Sequence, residues 1–127
     1  MNEFLKILLL EDSNDDQLFI RRQIIKSGLK SLFVTSDNKS TYEKLVKSFE
    51  PDLILSDYYV PGFIENEALN ISKEFNPKIP FIYLTAYYSI KLEEIIKVSN
   101  ADGFLNKENL NDLPKLISSI LGKKNNN

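Results

Sequence analysis

Short apolar runs alternate along this chain with stretches of helical periodicity. The runs fall at residues 5–10, 32–35, 53–55, 81–84 and 103–105. They are rich in Ile, Leu, Val and Phe and do not alternate strictly with polar residues, a pattern that predicts strands covered on both faces. Between them lie amphipathic segments. The first, near 15–27, carries Leu18, Ile24 and Ile25, with Gly28 as a C′ stop. The second places Tyr42, Leu45, Val46 and Phe49 at i, i+3, i+4 and i+7 and ends before Pro51. A weaker third, near 65–75, has Ala68, Leu69 and Ile71, and a fourth has Leu92, Ile95, Ile96 and Ser99. The fifth has Leu113, Leu116, Ile117 and Ile120, with Asp112 as candidate N-cap and Pro114 in the first turn.

Five β–α units in this order predict an α/β fold: a parallel sheet with right-handed crossovers, sandwiched between helices in three layers. A (βα)5 flavodoxin-like sheet of order 2-1-3-4-5 accommodates them, and such a sheet places its site beyond the carboxyl ends of the strands, beside strand 1. Residues 1–122 are expected to form one domain, and 123–127 a frayed, disordered tail.

The composition narrows the chemistry. Among 127 residues there is no Cys and no His, which excludes disulfides, thiolate or imidazole metal ligands, and catalysis by a cysteine or a Ser-His-Asp triad. A bound metal would have to be a hard ion held by oxygen. The 16 basic and 18 acidic residues leave a net charge of −2, which argues against nucleic acid as a partner. The frequent Lys (14) is matched by Asn (13) and Ile (14), residues that A/T-rich codons also favour. No apolar run approaches the ~20 residues that span a bilayer, and the acidic start does not resemble a secretory signal. The expectation is a cytoplasmic protein with no membrane partner.

The strand ends carry the polar residues that matter. Strand 1 ends at Glu11-Asp12, strand 3 at Ser56-Asp57, strand 4 at Thr85-Ala86 and strand 5 near Asn106-Lys107. Three carboxylates converging on one point repel, and a divalent cation relieves the repulsion. Mg²⁺ suits one or two carboxylates with water and phosphate oxygens. A carboxylate there can act as a nucleophile and form an acyl phosphate, while a hydroxyl and an ammonium bind phosphoryl oxygens. Each residue also has a plainer reading. Asp12, Ser13 and Asn14 can cap helix 1, with Asp15 and Asp16 complementing its positive end. Asp57 can be a loop residue before the Pro61-Gly62 turn, Thr85 a cap of helix 4, and Lys107 a solvated surface amine.

Together these residues resemble the receiver domain of two-component response regulators, over about residues 5–121. The resemblance rests on Glu11-Asp12, on Asp57 in Asp57-Tyr58-Tyr59-Val60-Pro61-Gly62, on Thr85-Ala86 and on Lys107. It implies that Asp57 accepts a phosphoryl group from a sensor histidine kinase or a histidine phosphotransfer protein. It implies Mg²⁺ bound by Asp12, Asp57 and the backbone carbonyl of Tyr59, with Glu11 acting through a metal-bound water. Lys107 and Thr85 would bind the phosphoryl oxygens. Phe104 would be the aromatic switch residue, moving with Thr85 to change the face formed by helix 4, strand 5 and helix 5 for a downstream protein target. A plain core aromatic is the alternative for Phe104. Such a module phosphorylates and dephosphorylates only itself and is not an enzyme acting on an external substrate. Helix 5 is expected to end near Leu121, leaving six residues, so a stand-alone receiver like the chemotaxis regulators, or a piece of a longer protein, is expected.

Two departures from the family pattern stand out. Glu108 follows Lys107 where many receivers have Pro, so the usual cis-Pro kink is not expected. Residues 63–67 replace the more usual acidic-glycine turn before helix 3. Tyr59 and Tyr87, two residues after Asp57 and Thr85, flank the water path in such domains and predict slow self-dephosphorylation. The alternative is that both rings face solvent or pack on each other. Two other functions fit less well. A Mg²⁺-dependent phosphohydrolase of similar topology should carry a second acid where Tyr59 stands, and a binding-only receiver should have lost one of the key residues.

Overall fold

The computed structural model describes residues 4–125. Its strands are β1 (Leu5–Leu10), β2 (Ser31–Ser36), β3 (Leu53–Asp57), β4 (Phe81–Thr85) and β5 (Gly103–Asn106). Its helices are α1 (Asn14–Lys26), α2 (Lys39–Ser48), α3 (Glu67–Phe75), α4 (Ile90–Lys97) and α5 (Leu113–Asn125), with a 3-10 turn over Lys107–Asp112. The five strands are parallel, in the order β2-β1-β3-β4-β5. This is the flavodoxin-like (βα)5 sandwich that the alternation of runs and helical stretches predicts.

Strand periodicity divides the core in two. Leu8, Leu10, Ile54, Phe81 and Tyr83 face one side of the sheet and pack with Tyr42, Val46, Leu69, Leu92 and Ile96 from α2, α3 and α4. Ile7, Leu9, Leu53, Leu55, Ile82 and Leu84 face the other and meet Ile20, Ile24, Leu113, Ile117 and Ile120 from α1 and α5. Alternate residues of each central strand therefore serve opposite faces, which is why the runs read as continuously apolar. On the edge strand β5, a Cβ at Gly103 would lie 2.8 Å from Ile120 Cδ1, so glycine lets α5 approach closely.

Helix starts follow capping chemistry. Ser13 Oγ accepts from the backbone N–H of Asp16 at 3.2 Å, Asn38 Oδ1 from Thr41 at 2.9 Å, and Ser89 Oγ from Leu92 at 3.0 Å. Gly28, at φ +87°, follows the C-cap Ser27 of α1.

Several expectations shift. The buried face of α1 is Ile20 and Ile24, whereas Leu18 and Ile25 are exposed. Leu18, Phe19, Ile20, Ile24 and Ile25 form two overlapping stripes, and only the Ile20–Ile24 stripe faces the sheet. Helix α3 starts at Glu67, because residues 61–66 run through two turns, at Pro61-Gly62 and at Glu65-Asn66, before it. Asp112 closes the 3-10 turn rather than capping α5; Asn106 caps that turn, accepting from the Glu108 N–H at 3.0 Å. No peptide bond among the described residues is cis. Helix α5 continues through Asn125, past the expected end near Leu121, with Lys123 favourably placed near the negative end of the helix dipole. Of the expected tail, residues 126 and 127 lie outside the described residues, as do residues 1–3. Among the described residues no helix is long and apolar enough to cross a membrane.

Candidate functional site

Strand register assembles the site. Leu10 lies opposite Ser56 across β1 and β3, so the next residues on each strand, Glu11 and Asp57, leave the sheet side by side. Asp57 lies opposite Leu84, and Thr85 opposite Asn106, the residue before Lys107. Four strand ends separated by up to 96 positions in sequence thus meet at one edge of the sheet.

Oxygens of Glu11, Asp12 and Asp57 all lie within 4.8 Å of one another. Glu11 is 1% exposed; its Oε2 accepts from the Ser13 N–H at 3.2 Å, and its main-chain carbonyl accepts from Gln17 Nε2 at 2.8 Å. Asp12 faces solvent, and the Asp57 side chain is 14% exposed. This donor set fits Mg²⁺: the three side chains offer only hard oxygens, and Asp12 is open to solvent, which can supply water ligands.

The Lys107 ammonium enters the cluster from the start of the 3-10 turn, with its side chain 10% exposed. It lies 2.7 Å from Glu11 Oε1, 2.8 Å from Asp16 Oδ2 and 3.6 Å from Asp57 Oδ1. The Asp16 contact is an aligned hydrogen bond, whereas that to Glu11 is an ion contact without such alignment. Lys107 is not a solvated surface amine. Asp16 is the participant that sequence reasoning missed. It was legible only as a charge complementing the helix dipole, because its partner stands 91 residues away.

Burial pushes the Asp57 carboxyl above its usual range, and the neighbouring Asp12 adds to this. The Lys107 charge and a hydrogen bond from the Tyr59 backbone oppose it. Glu11 is raised chiefly by burial as well, with Lys107 opposing and Asp57 reinforcing. For Lys107, burial lowers the ammonium's pKa, but Asp16, Glu11 and Asp57 together more than offset it and the net shift is upward. The site therefore holds excess negative charge around one retained cation.

Thr85 is fully buried at the end of β4, and its Oγ1 accepts from the Tyr87 N–H at 3.1 Å. Ser89 caps α4, so Thr85 does not. Phe104 is half-buried against the α2–α3–α4 core and stacks on Tyr88, with centroids 6.2 Å apart and planes at 26°. The Tyr88 hydroxyl is tied to Glu93 at 2.5 Å. Tyr59 and Tyr87 meet edge to face, 6.3 Å between centroids, and remain 56% and 75% exposed. The two rings are thus exposed and packed on each other at once, just beyond the ends of β3 and β4.

No protein-family model matches the sequence, and no curated protein does. Solved structures do. A CheY-like response regulator receiver domain protein from Methanospirillum hungatei superposes with a TM-score of 0.81 at 18% identity, over 97% of this chain and 98% of that one. The Francisella response regulator 1452 receiver domain gives 0.78 at 20% identity, over 94% and 98%. The signal receiver domain of the response regulator NarL from Mycobacterium tuberculosis gives 0.79 at 18% identity, over 99% and 100%. At such identities the likeness speaks for the backbone arrangement, and it does so over nearly the whole chain: the protein has the fold of response-regulator receiver domains.

Proposed function

We propose that this chain is a signalling receiver that takes a phosphoryl group onto Asp57 from a phosphohistidine on a sensor kinase or phosphotransfer protein. The observation that carries the reading is the convergence of Glu11, Asp12 and Asp57 within 4.8 Å, with the Lys107 ammonium 3.6 Å from Asp57. Carboxylates so close, with a lysine beside them, suit charge-neutralised transfer of an anionic group.

Asp12, Asp57 and the Tyr59 carbonyl would hold Mg²⁺, with Glu11 acting through water. When bound, the ion offsets the charge of the carboxylates and of the incoming phosphoryl oxygens. An Asp57 oxygen forms the bond to phosphorus as the P–N bond to imidazole breaks, and the imidazole leaves with the electron pair. Lys107 neutralises one phosphoryl oxygen. Thr85 accepts from the Tyr87 N–H and keeps its own hydroxyl proton, which it can donate to a second. Donating there draws on Thr85 Oγ1, which also holds the Tyr87 N–H, so the β4–α4 loop would shift with it. That loop carries Tyr88, which stacks on Phe104, so occupancy at Asp57 biases the packing of Phe104 and the face of α4, β5 and α5 toward a second conformation for a downstream target. Taking its phosphoryl group from a kinase's phosphohistidine would give the chain a cytoplasmic role.

Acetyl phosphate with Mg²⁺ tests this, read by intact mass and by phosphate release. A receiver gains one phosphoryl group, and Asp57→Asn gains none. Rapid release of phosphate over many turnovers identifies a hydrolase instead. Neither labelling nor release, in a folded protein, identifies a binding-only module.

A further inference from the structure

We propose that Asp16 is a positioning residue that holds the Lys107 ammonium back from Asp57 in the unphosphorylated chain, and so slows the entry of the phosphoryl group. The inference rests on the receiver reading above. Asp16 occupies the first turn of α1, where its own N–H is fixed by Ser13 Oγ at 3.2 Å. From there its carboxylate reaches the 3-10 turn and accepts a hydrogen bond from Lys107 at 2.8 Å, whereas the ammonium is 3.6 Å from Asp57, beyond hydrogen-bond range.

The other close carboxylate, Glu11, belongs to the cluster within 4.8 Å that a divalent ion would share; Asp16 does not. An ion bound there draws on the charge of Glu11 but leaves that of Asp16 standing. Asp16 is thus the group that competes with an arriving phosphoryl oxygen for Lys107. With acetyl phosphate as donor, an Asp57 oxygen bonds to phosphorus as the P–O bond to acetate breaks. Acetate leaves with the electron pair. Lys107 keeps its proton and exchanges one acceptor, Asp16, for another, a phosphoryl oxygen.

The test is the rate of phosphorylation by subsaturating acetyl phosphate with Mg²⁺. Asp16→Asn keeps the shape of the side chain and removes its charge. The Asp16 carboxylate is about one-third exposed, 34%, so the contact counts near the top of the range for partly solvated ion pairs, and the variant should be phosphorylated about fivefold faster. Asp16→Ala should be accelerated in the same direction, which guards against an effect peculiar to the amide. Asp15→Asn removes the same charge from the next residue, exposed and without a contact to Lys107, and should change the rate less than about twofold. Added salt should narrow the ratio of Asp16→Asn to wild type, because it weakens the contact being removed; a purely structural defect would not follow salt in this way. Wild-type uptake with no acceleration in either Asp16 variant, or equal acceleration in Asp15→Asn, overturns the proposal alone. A wild-type chain that takes up no phosphoryl group overturns the receiver reading and this proposal together.

Discussion

Replacing Lys107 with methionine isolates the electrostatics of the site, because the stem is kept and only the cation is lost. In the folded chain that cation stands 2.7 Å from Glu11, 2.8 Å from Asp16 and 3.6 Å from Asp57. Glu11 is almost wholly buried, so without Lys107 its charge loses its cation and keeps only the Ser13 N–H at 3.2 Å. Removing one partner of a buried pair costs ~3–5 kcal/mol, and partial solvation of Asp16 and Asp57 places this case near ~3 kcal/mol. For a domain of this size that lowers the melting temperature by roughly 10 °C.

The pH dependence has a definite sign. Glu11 and Asp57 are already raised above 4.5 and 3.8, chiefly by burial. Groups raised in the fold contribute stability that is present below those values and lost as pH rises through the folded pKa. In Lys107→Met both rise further, so the gap from wild type should be small near about pH 4 and full at neutrality. Lys107 is itself raised above 10.5, so its contribution in wild type persists through neutrality and fades only as pH rises through its folded pKa. Mg²⁺ should stabilise the variant more than wild type, since it supplies the missing positive charge. Thermal melts by circular dichroism across pH, with and without Mg²⁺, measure all three effects. A neutral-pH gap below about 1 kcal/mol, the value of a surface pair, would refute the reasoning, as would a gap independent of pH.

Three further outcomes are expected. Asp57→Asn should stabilise the metal-free chain at neutral pH, because it removes a carboxylate whose ionisation the fold disfavours; its melting temperature should rise, and Mg²⁺ should raise it less than in wild type. The Tyr59–Tyr87 pair should slow attack of water on the acyl phosphate, so Tyr59→Asn with Tyr87→Glu should lose label faster than wild type; equal decay returns the pair to simple mutual packing. Tyr42→Phe should cost about 1 kcal/mol in chemical denaturation, the net contribution of a typical intramolecular hydrogen bond, because the buried hydroxyl donates to the Ala68 carbonyl at 2.7 Å.

The sheet order and the gathering of Glu11, Asp12, Asp57, Thr85 and Lys107 were legible because both follow from strand placement. Once five apolar runs are parallel strands, residues just past their ends share an edge whatever lies between them. The exposed stripe of α1 was not legible, because Leu18 and Ile25 are as apolar as Ile20 and Ile24 and only the sheet decides which pair is covered. The start of α5 was obscured by the 3-10 turn, whose sequence carries an Asp where an N-cap would also fit. Asp16 was hidden for a different reason. Its local role at a helix N-terminus is a sufficient account of an acid there, and its contact with Lys107 depends on how the first helix and the last loop settle against each other. The stack of Tyr88 on Phe104 depends likewise on tertiary placement of the β4–α4 loop.

The central claim is that Asp57 carries the reactive oxygen and that a divalent ion at the neighbouring carboxylates makes it so. Site mapping by tandem mass spectrometry after exposure to acetyl phosphate addresses both parts at once. The account expects one phosphoryl group on the peptide containing Asp57, present with Mg²⁺ and absent with chelator. Label on another residue, or label at Asp57 that is indifferent to the metal, would contradict it.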